Sequence, residues 1–144
     1  MNRIVYILIF ILCFACSKSP EPISYGTDMC HFCKMTIVTK THSAQLVTDK
    51  GKQYKFDAIE CMVRFLEDKT GIEQKSNLLI ANYNNPGFMI NAKTAGYLIC
   101  DEITSPMGAN LSGFESMETA QNTINSETAQ YFDWVGISNK LNKH

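Results

Sequence analysis

One pattern constrains the fold of this chain more than any other, because it occurs twice. Phe56-Asp57-Ala58-Ile59-Glu60 and Phe114-Glu115-Ser116-Met117-Glu118 match by residue kind, and each follows a strand-like run and opens a helix-like one. At each, the apolar period changes from two residues to about 3.6, as it does where a strand hands over to a helix. The repeat predicts an α+β fold of small antiparallel sheets, each with a helix, built as duplicated ββαβ-like units.

The flanking residues fill in the units. Ile37-Val38-Thr39, Ala44-Gln45-Leu46-Val47-Thr48 and Gln53-Tyr54-Lys55-Phe56 are strand-like, with a turn at Asp49-Lys50-Gly51-Lys52. Asp57 is placed to cap the first helix, with Glu60 reaching back. Ile59, Met62, Val63 and Leu66 form its buried stripe, and Thr70-Gly71 ends it. Cys61 falls off that stripe, on a flank with Ala58 and Phe65. Leu78-Leu79-Ile80-Ala81 reads as a buried strand and Asn84-Asn85-Pro86-Gly87 as a turn, followed by strands at Phe88-Met89-Ile90 and Gly96-Tyr97-Leu98-Ile99-Cys100. Met117, Ala120 and Ile124 line a second helix, and Tyr131-Phe132-Asp133-Trp134-Val135 packs onto the core. The expected domain spans 28–138 in two halves, about 28–84 and 85–138, with 139–144 frayed.

Ahead of the domain, Ile4 to Ala15 is an apolar run shorter than the roughly 20 residues of a membrane span, but of secretory-leader length. It ends in Leu12-Cys13-Phe14-Ala15-Cys16, which resembles a bacterial lipoprotein processing box with Cys16 as the acylated residue. Residues 1–15 are therefore expected to be a signal peptide, and 16–27, polar and proline-containing, a lipid-attached tether. The alternative is an ordinary cleaved leader that leaves Cys16 as a spare thiol. Either way the domain is expected outside the cytoplasm, and the lipid places it at a membrane on the periplasmic side. Losing Arg3 with the leader takes the formal charge from −1 to about −2, which leaves no basic face for nucleic acid.

Sulfur is concentrated where the domain begins. Met29-Cys30-His31-Phe32-Cys33-Lys34-Met35 offers two thiols, an imidazole and two thioethers in seven residues. A Cys-x-x-Cys disulfide would close too small a loop to restrain the unfolded chain much, so chemistry explains the pair better than stapling. Cu(I) suits it, being a soft ion content with few thiolate and thioether ligands, whereas zinc has no need of methionine. His31 is a further donor or a solvated turn residue, and Met35 a donor or a core gap-filler. Met107, in the Pro106-Met107-Gly108 loop, is placed by no strand or helix period, which invites a ligand role; the alternative is a loop methionine folded over its own hairpin. Cys61, in the first turn of a helix, either completes a site with Cys33 or fills space against the sheet. Cys100, inside an apolar strand, reads as a buried free thiol.

Taken in order, Cys30-His31-Phe32-Cys33-Lys34-Met35-Thr36, then Gly51 with Tyr54-Lys55-Phe56-Asp57-Ala58-Ile59-Glu60-Cys61-Met62, then Pro106-Met107-Gly108, the chain resembles NosL-type lipoproteins, accessory proteins in the copper maturation of nitrous oxide reductase. The resemblance runs from Asp28 to Ile124. It implies a Cu(I) carrier rather than an enzyme, with Cys33 and Met35 matching the family's Cys-x-Met and Met107 its Met-Gly. The partners implied are a periplasmic copper enzyme as acceptor, nitrous oxide reductase above all, and a membrane copper exporter as donor. Two other readings stay open on the residues alone. A thiol–disulfide oxidoreductase would use Cys30 and Cys33, although its motif normally opens a helix. A structural zinc module would use Cys30, Cys33, Cys61 and a histidine. There is no hydrolase signature and no phosphate loop.

Overall fold

The computed structural model describes residues 18–142; the apolar leader and Cys16 lie outside them. Apolar and amide residues of β1 (Ala44–Val47) are buried along its whole length because it is an inner strand. It pairs antiparallel with β2 (Gln53–Phe56) on one side and β3 (Asn77–Asn82) on the other, and β4 (Asn85–Asn91) adds to β3, giving the order β2-β1-β3-β4. Two helices, α1 (Ile59–Leu66) and α2 (Thr70–Lys75), connect β2 to β3. A second sheet holds β5 (Gly96–Ile99), β6 (Leu111–Phe114) and β7 (Gln130–Phe132) in the order β6-β5-β7, with α3 (Met117–Thr123) between β6 and β7 and α4 (Trp134–Leu141) at the end.

The duplication is visible in topology and register. In each unit two antiparallel strands precede a helix, and the strand after the helix pairs with the first strand from its far side. Phe56 lies opposite Ala44 and Phe114 opposite Gly96, and three residues after each phenylalanine a helix begins, at Ile59 and at Met117. The boundary between the halves falls after Asn91, however, and not at 84, because β4 belongs to the first sheet.

Close approach joins the units. Tyr83 N–H donates to Gly113 O at 2.8 Å, and a Cβ on Gly113 would stand 2.2 Å from Ile80 Cδ1. Glycine leaves the room that the buried Ile80 side chain, with Ile59 beside it, occupies, so a larger residue there would have to displace Ile80. The α1 helix lies where the units meet, packing on β1, β2, β6 and α4. Its predicted stripe of Ile59, Met62, Val63 and Leu66 is buried, and so is its flank residue Cys61.

Several local expectations are displaced. Asp57 does not cap α1: the N-cap is Ala58 with no side-chain bond, and the Asp57 carboxylate instead accepts from Val38 N–H at 3.4 Å. Ile37-Val38-Thr39 joins no sheet; a bridge between Met29 and Thr36 closes a short hairpin over 28–37. The turn predicted at 84–87 is a Tyr83-Asn84 turn, with Pro86 and Gly87 inside edge strand β4, where a missing N–H costs no ladder bond. Thr70-Gly71 starts α2 rather than ending α1. At the C-terminus α4 continues past Ser138 to Leu141, which packs on the core; Asp133 caps this helix through Gly136 N–H.

The segment expected as a tether is also docked from Ser19 onward. Gln45 and Gln53 side-chain amides donate to Glu21 O and Ser19 O, Lys55 Nζ donates to Pro22 O, and Ile23 and Tyr25 pack on the core. Its prolines leave carbonyls that no ladder satisfies, and side chains of β1 and β2 satisfy them.

Candidate metal centre

The hairpin over 28–37 sets the geometry of the Cys-x-x-Cys motif. Cys30 N–H donates to Met35 O and Lys34 N–H to Cys30 O, and Lys34 takes a left-handed φ of 66° to close the turn. That turn aims backbone donors at sulfur. The Cys30 sulfur receives the N–H groups of Phe32 and Cys33, and the Cys33 sulfur that of Met35. From across the fold, Asp57 N–H donates to the Cys30 sulfur as well, where β2 passes into α1.

Cys61, in the first turn of α1, faces the same spot. The sulfurs of Cys30, Cys33 and Cys61 lie within 4.8 Å of one another. All are free thiols in the structure; Cys30 and Cys61 are buried, while Cys33 is partly open to solvent. Cys100, also free and buried, belongs to the second core beside Leu98 and Phe114.

Charge is unevenly shared among the three. The Cys61 thiol donates to Cys30, and this bond, with the backbone donors, holds the Cys30 thiol down to about 4 against the opposing effect of burial. Cys61 is pushed far up because its proton is committed to Cys30 and because it is buried. Burial raises Cys33. At neutral pH the cluster is one thiolate solvated by N–H and S–H donors, flanked by two thiols whose protons a soft cation can displace.

A profile of the NosL family matches residues 23–141. The chain belongs to the NosL family. Its fold is similar to the crystal structure of the copper chaperone NosL from Shewanella denitrificans, with a TM-score of 0.67 at 20% identity over 83% of this chain and 95% of that one. No curated protein sequence matches.

In this NosL-family chain the predicted site residues separate into three groups. Cys30, Cys33 and Cys61 are brought together. Met35 and Met107 form a second group: Met35 is exposed two residues past Cys33, and Met107 packs half-buried against the large core cluster, of which Cys30 and Cys61 are members. His31 is engaged elsewhere, its Nδ1 accepting Lys55 N–H at 3.1 Å and its ring edge-on to Tyr54, so it serves to hold the hairpin against β2.

Two contributors were invisible as such in the sequence. Glu60, read there as part of a capping box, is buried; its Oε1 accepts from Ser105 Oγ and, at 3.4 Å, from Ala109 N–H. It thereby pins the loop that carries Met107 to the residue next to Cys61. Asp57 contributes a backbone donor, and its buried carboxyl is raised by burial and by the neighbouring Cys30 charge. The only signal for either was a pair of acidic residues at a helix start, which capping explains equally well.

Proposed function

We propose that this protein is a membrane-anchored Cu(I) chaperone that delivers copper by ligand exchange to an extracytoplasmic copper enzyme, nitrous oxide reductase being the client the family suggests. The observation that carries this reading is the triangle of cysteine sulfurs within 4.8 Å, two buried and one partly open. Three sulfur donors suit a soft monovalent ion and leave it able to accept an incoming ligand. Membership of the NosL family, and a fold similar to a protein described as a copper chaperone, support the same reading. Anchoring rests on the Leu12–Cys16 sequence, with Cys16 carrying the lipid, and localisation at the periplasmic face follows from it. A membrane copper exporter is the proposed donor.

The Cys-x-x-Cys pair sits at a hairpin tip rather than at a helix N-terminus, which favours metal carriage over disulfide exchange. The test is a titration of the reduced protein with Cu(I) against a competing chelator under anaerobic conditions. One tightly bound ion per chain, weakened by Cys33→Ser and by Cys61→Ser, is expected. Binding that neither substitution weakens would refute the assignment.

A further inference from the structure

The docked segment ahead of the hairpin limits how far the domain can stand from its anchor. Ser19 O accepts the Gln53 side-chain amide at 3.1 Å, Glu21 O that of Gln45 at 2.8 Å, and Pro22 O the Lys55 ammonium at 2.9 Å. Cys16 lies three positions before Ser19, a reach of at most about 11 Å even when fully extended. A free spacer over 16–27 would reach about 40 Å, enough for a domain of about 14 Å radius of gyration to turn over above a membrane. With the short connection, the part of the domain nearest Ser19 is the part that meets the surface to which Cys16 is attached.

That part is the β1–β2 turn. The Gln53 amide donates to Gly51 O as well as to Ser19 O, so one side chain joins the turn to the start of the docked segment. Lys18, Lys50 and Lys52 are exposed around it, and exposed Lys75 of α2 borders the same cleft as Lys50 and Asp49. Against these four lysines stand Glu21 and Asp49, which leaves a positive edge on a chain of formal charge −1. The second unit attaches at the other end of β1, where Ser112 Oγ lies 3.3 Å from His42 Nε2. The thiol hairpin is held between these ends. His31 N–H donates to Lys55 O, and the Cys30 sulfur receives the N–H of Asp57, four residues past Gln53 and so about 13 Å along the line of β2.

We propose that the edge formed by the β1–β2 turn, with Lys18, Lys50, Lys52 and Lys75, is the membrane-facing surface of the domain and rests on anionic lipid headgroups, with the second unit pointing away from the bilayer. This deepens the reading above and rests on its acylation at Cys16. The acyl chains and the lysines act together. The chains keep the domain within about 11 Å of the headgroups, and the attraction of lysine for an anionic surface acts over a Debye length of about 8–10 Å, so the two reaches coincide. The consequence for a carrier is geometric. On a free spacer the thiols would face every direction in turn, whereas on a domain with a fixed base they stand at one height above the bilayer.

The experiment uses the mature lipidated protein in the outer leaflet of preformed vesicles, either of equal parts phosphatidylcholine and phosphatidylglycerol or of phosphatidylcholine alone, and in detergent micelles. Lysines are acylated with a water-soluble succinimidyl ester and read by peptide mass spectrometry. On the mixed vesicles Lys50, Lys52 and Lys75 are expected to react about fivefold more slowly than in detergent, the preference that one lysine gains at an anionic surface. Exposed Lys40, on the segment leading into the far end of β1, is expected to be unchanged. Protection is expected to fall on phosphatidylcholine alone and as salt is raised. The double variant Lys50→Glu with Lys52→Glu, at exposed positions away from the thiols, is expected to lose the protection of Lys75 and to keep its Cu(I) affinity. Equal reactivity of all four lysines in micelles and on the mixed vesicles, or the same protection on both kinds of vesicle, would overturn the headgroup contact while leaving anchoring and copper carriage standing. A mature protein whose mass shows no acyl chains on Cys16 would overturn the anchoring reading and this inference with it.

Discussion

Glu60 joins the thiol-bearing helix to the Met107 loop, and removing its carboxylate measures how firmly that loop is held. In Glu60→Ala, the hydroxyl of Ser105 and the N–H of Ala109 lose their acceptor in a place where water does not reach the Glu60 side chain. Hydrogen bonds to a charged partner are each worth roughly 1.5–3 kcal/mol. Against that loss stands the relief of Glu60 Oε2, a buried oxygen with no hydrogen-bond partner, whose burial costs about 1–3 kcal/mol. Taking the middle of each range, the net loss of stability is about 2.5 kcal/mol, or about 10 °C in Tm for a domain of roughly 120 residues. Glu60→Gln keeps a neutral acceptor at the same place, and neutral bonds are about half as strong, so about half the loss is expected. The assay is urea unfolding of the reduced apo protein, with the slope required to be unchanged so that the midpoint reports stability. A Glu60→Ala protein within about 0.5 kcal/mol of the parent, as at an ordinary surface position, would refute the proposed clasp. So would Glu60→Gln and Glu60→Ala being equally damaging, since shape rather than an acceptor would then be what matters.

Other outcomes follow from the same geometry. The Cys30 thiol is lowered from 9.0 to about 4 in the folded protein, so the stability it contributes is full above about pH 9 and is lost as pH falls through that interval toward 4. Ultraviolet thiolate absorption in the apo protein should fade across the acid end of this range, and Cys30→Ser should abolish it. Because Cys33 and Cys61 hold their protons more firmly than an ordinary thiol, loading Cu(I) onto all three at neutral pH should release about two protons, read from binding heats in buffers of different ionisation enthalpy. Lys34 has a left-handed φ of 66°, a region that β-branched residues tolerate worst, so in thermal unfolding Lys34→Val should be destabilised relative to the parent while Lys34→Gly is tolerated. Gly96→Ala should cost several times more than a typical surface change, about 3 kcal/mol or beyond, because its Cβ would lie 2.5 Å from Ser116 O and 2.6 Å from Met117 N, backbone atoms that cannot yield without moving α3.

Chain order alone carried the repeat, the two strand-to-helix switches and the buried stripe of α1, because periodicity is a local property and survives in one dimension. It also carried Cys30, Cys33 and Met35, whose spacing within one turn leaves the fold little freedom to separate them. Only packing between distant elements could decide that Cys61 stands with Cys30 rather than against the sheet, since nothing in the sequence between them specifies how α1 lies on the hairpin. The same holds for Glu60 and Asp57, where an acidic residue at a helix start reads as a cap until the Ser105–Ala109 loop and the Cys30 sulfur are brought beside it. The segment before Asp28 looked like a spacer because prolines and polar residues make no pattern of their own; its order comes from carbonyls that happen to meet the amides of Gln45 and Gln53 and the ammonium of Lys55. Sequence pattern supplies what neighbouring residues decide, and the tertiary fold supplies the partners that polar and sulfur groups find across the chain.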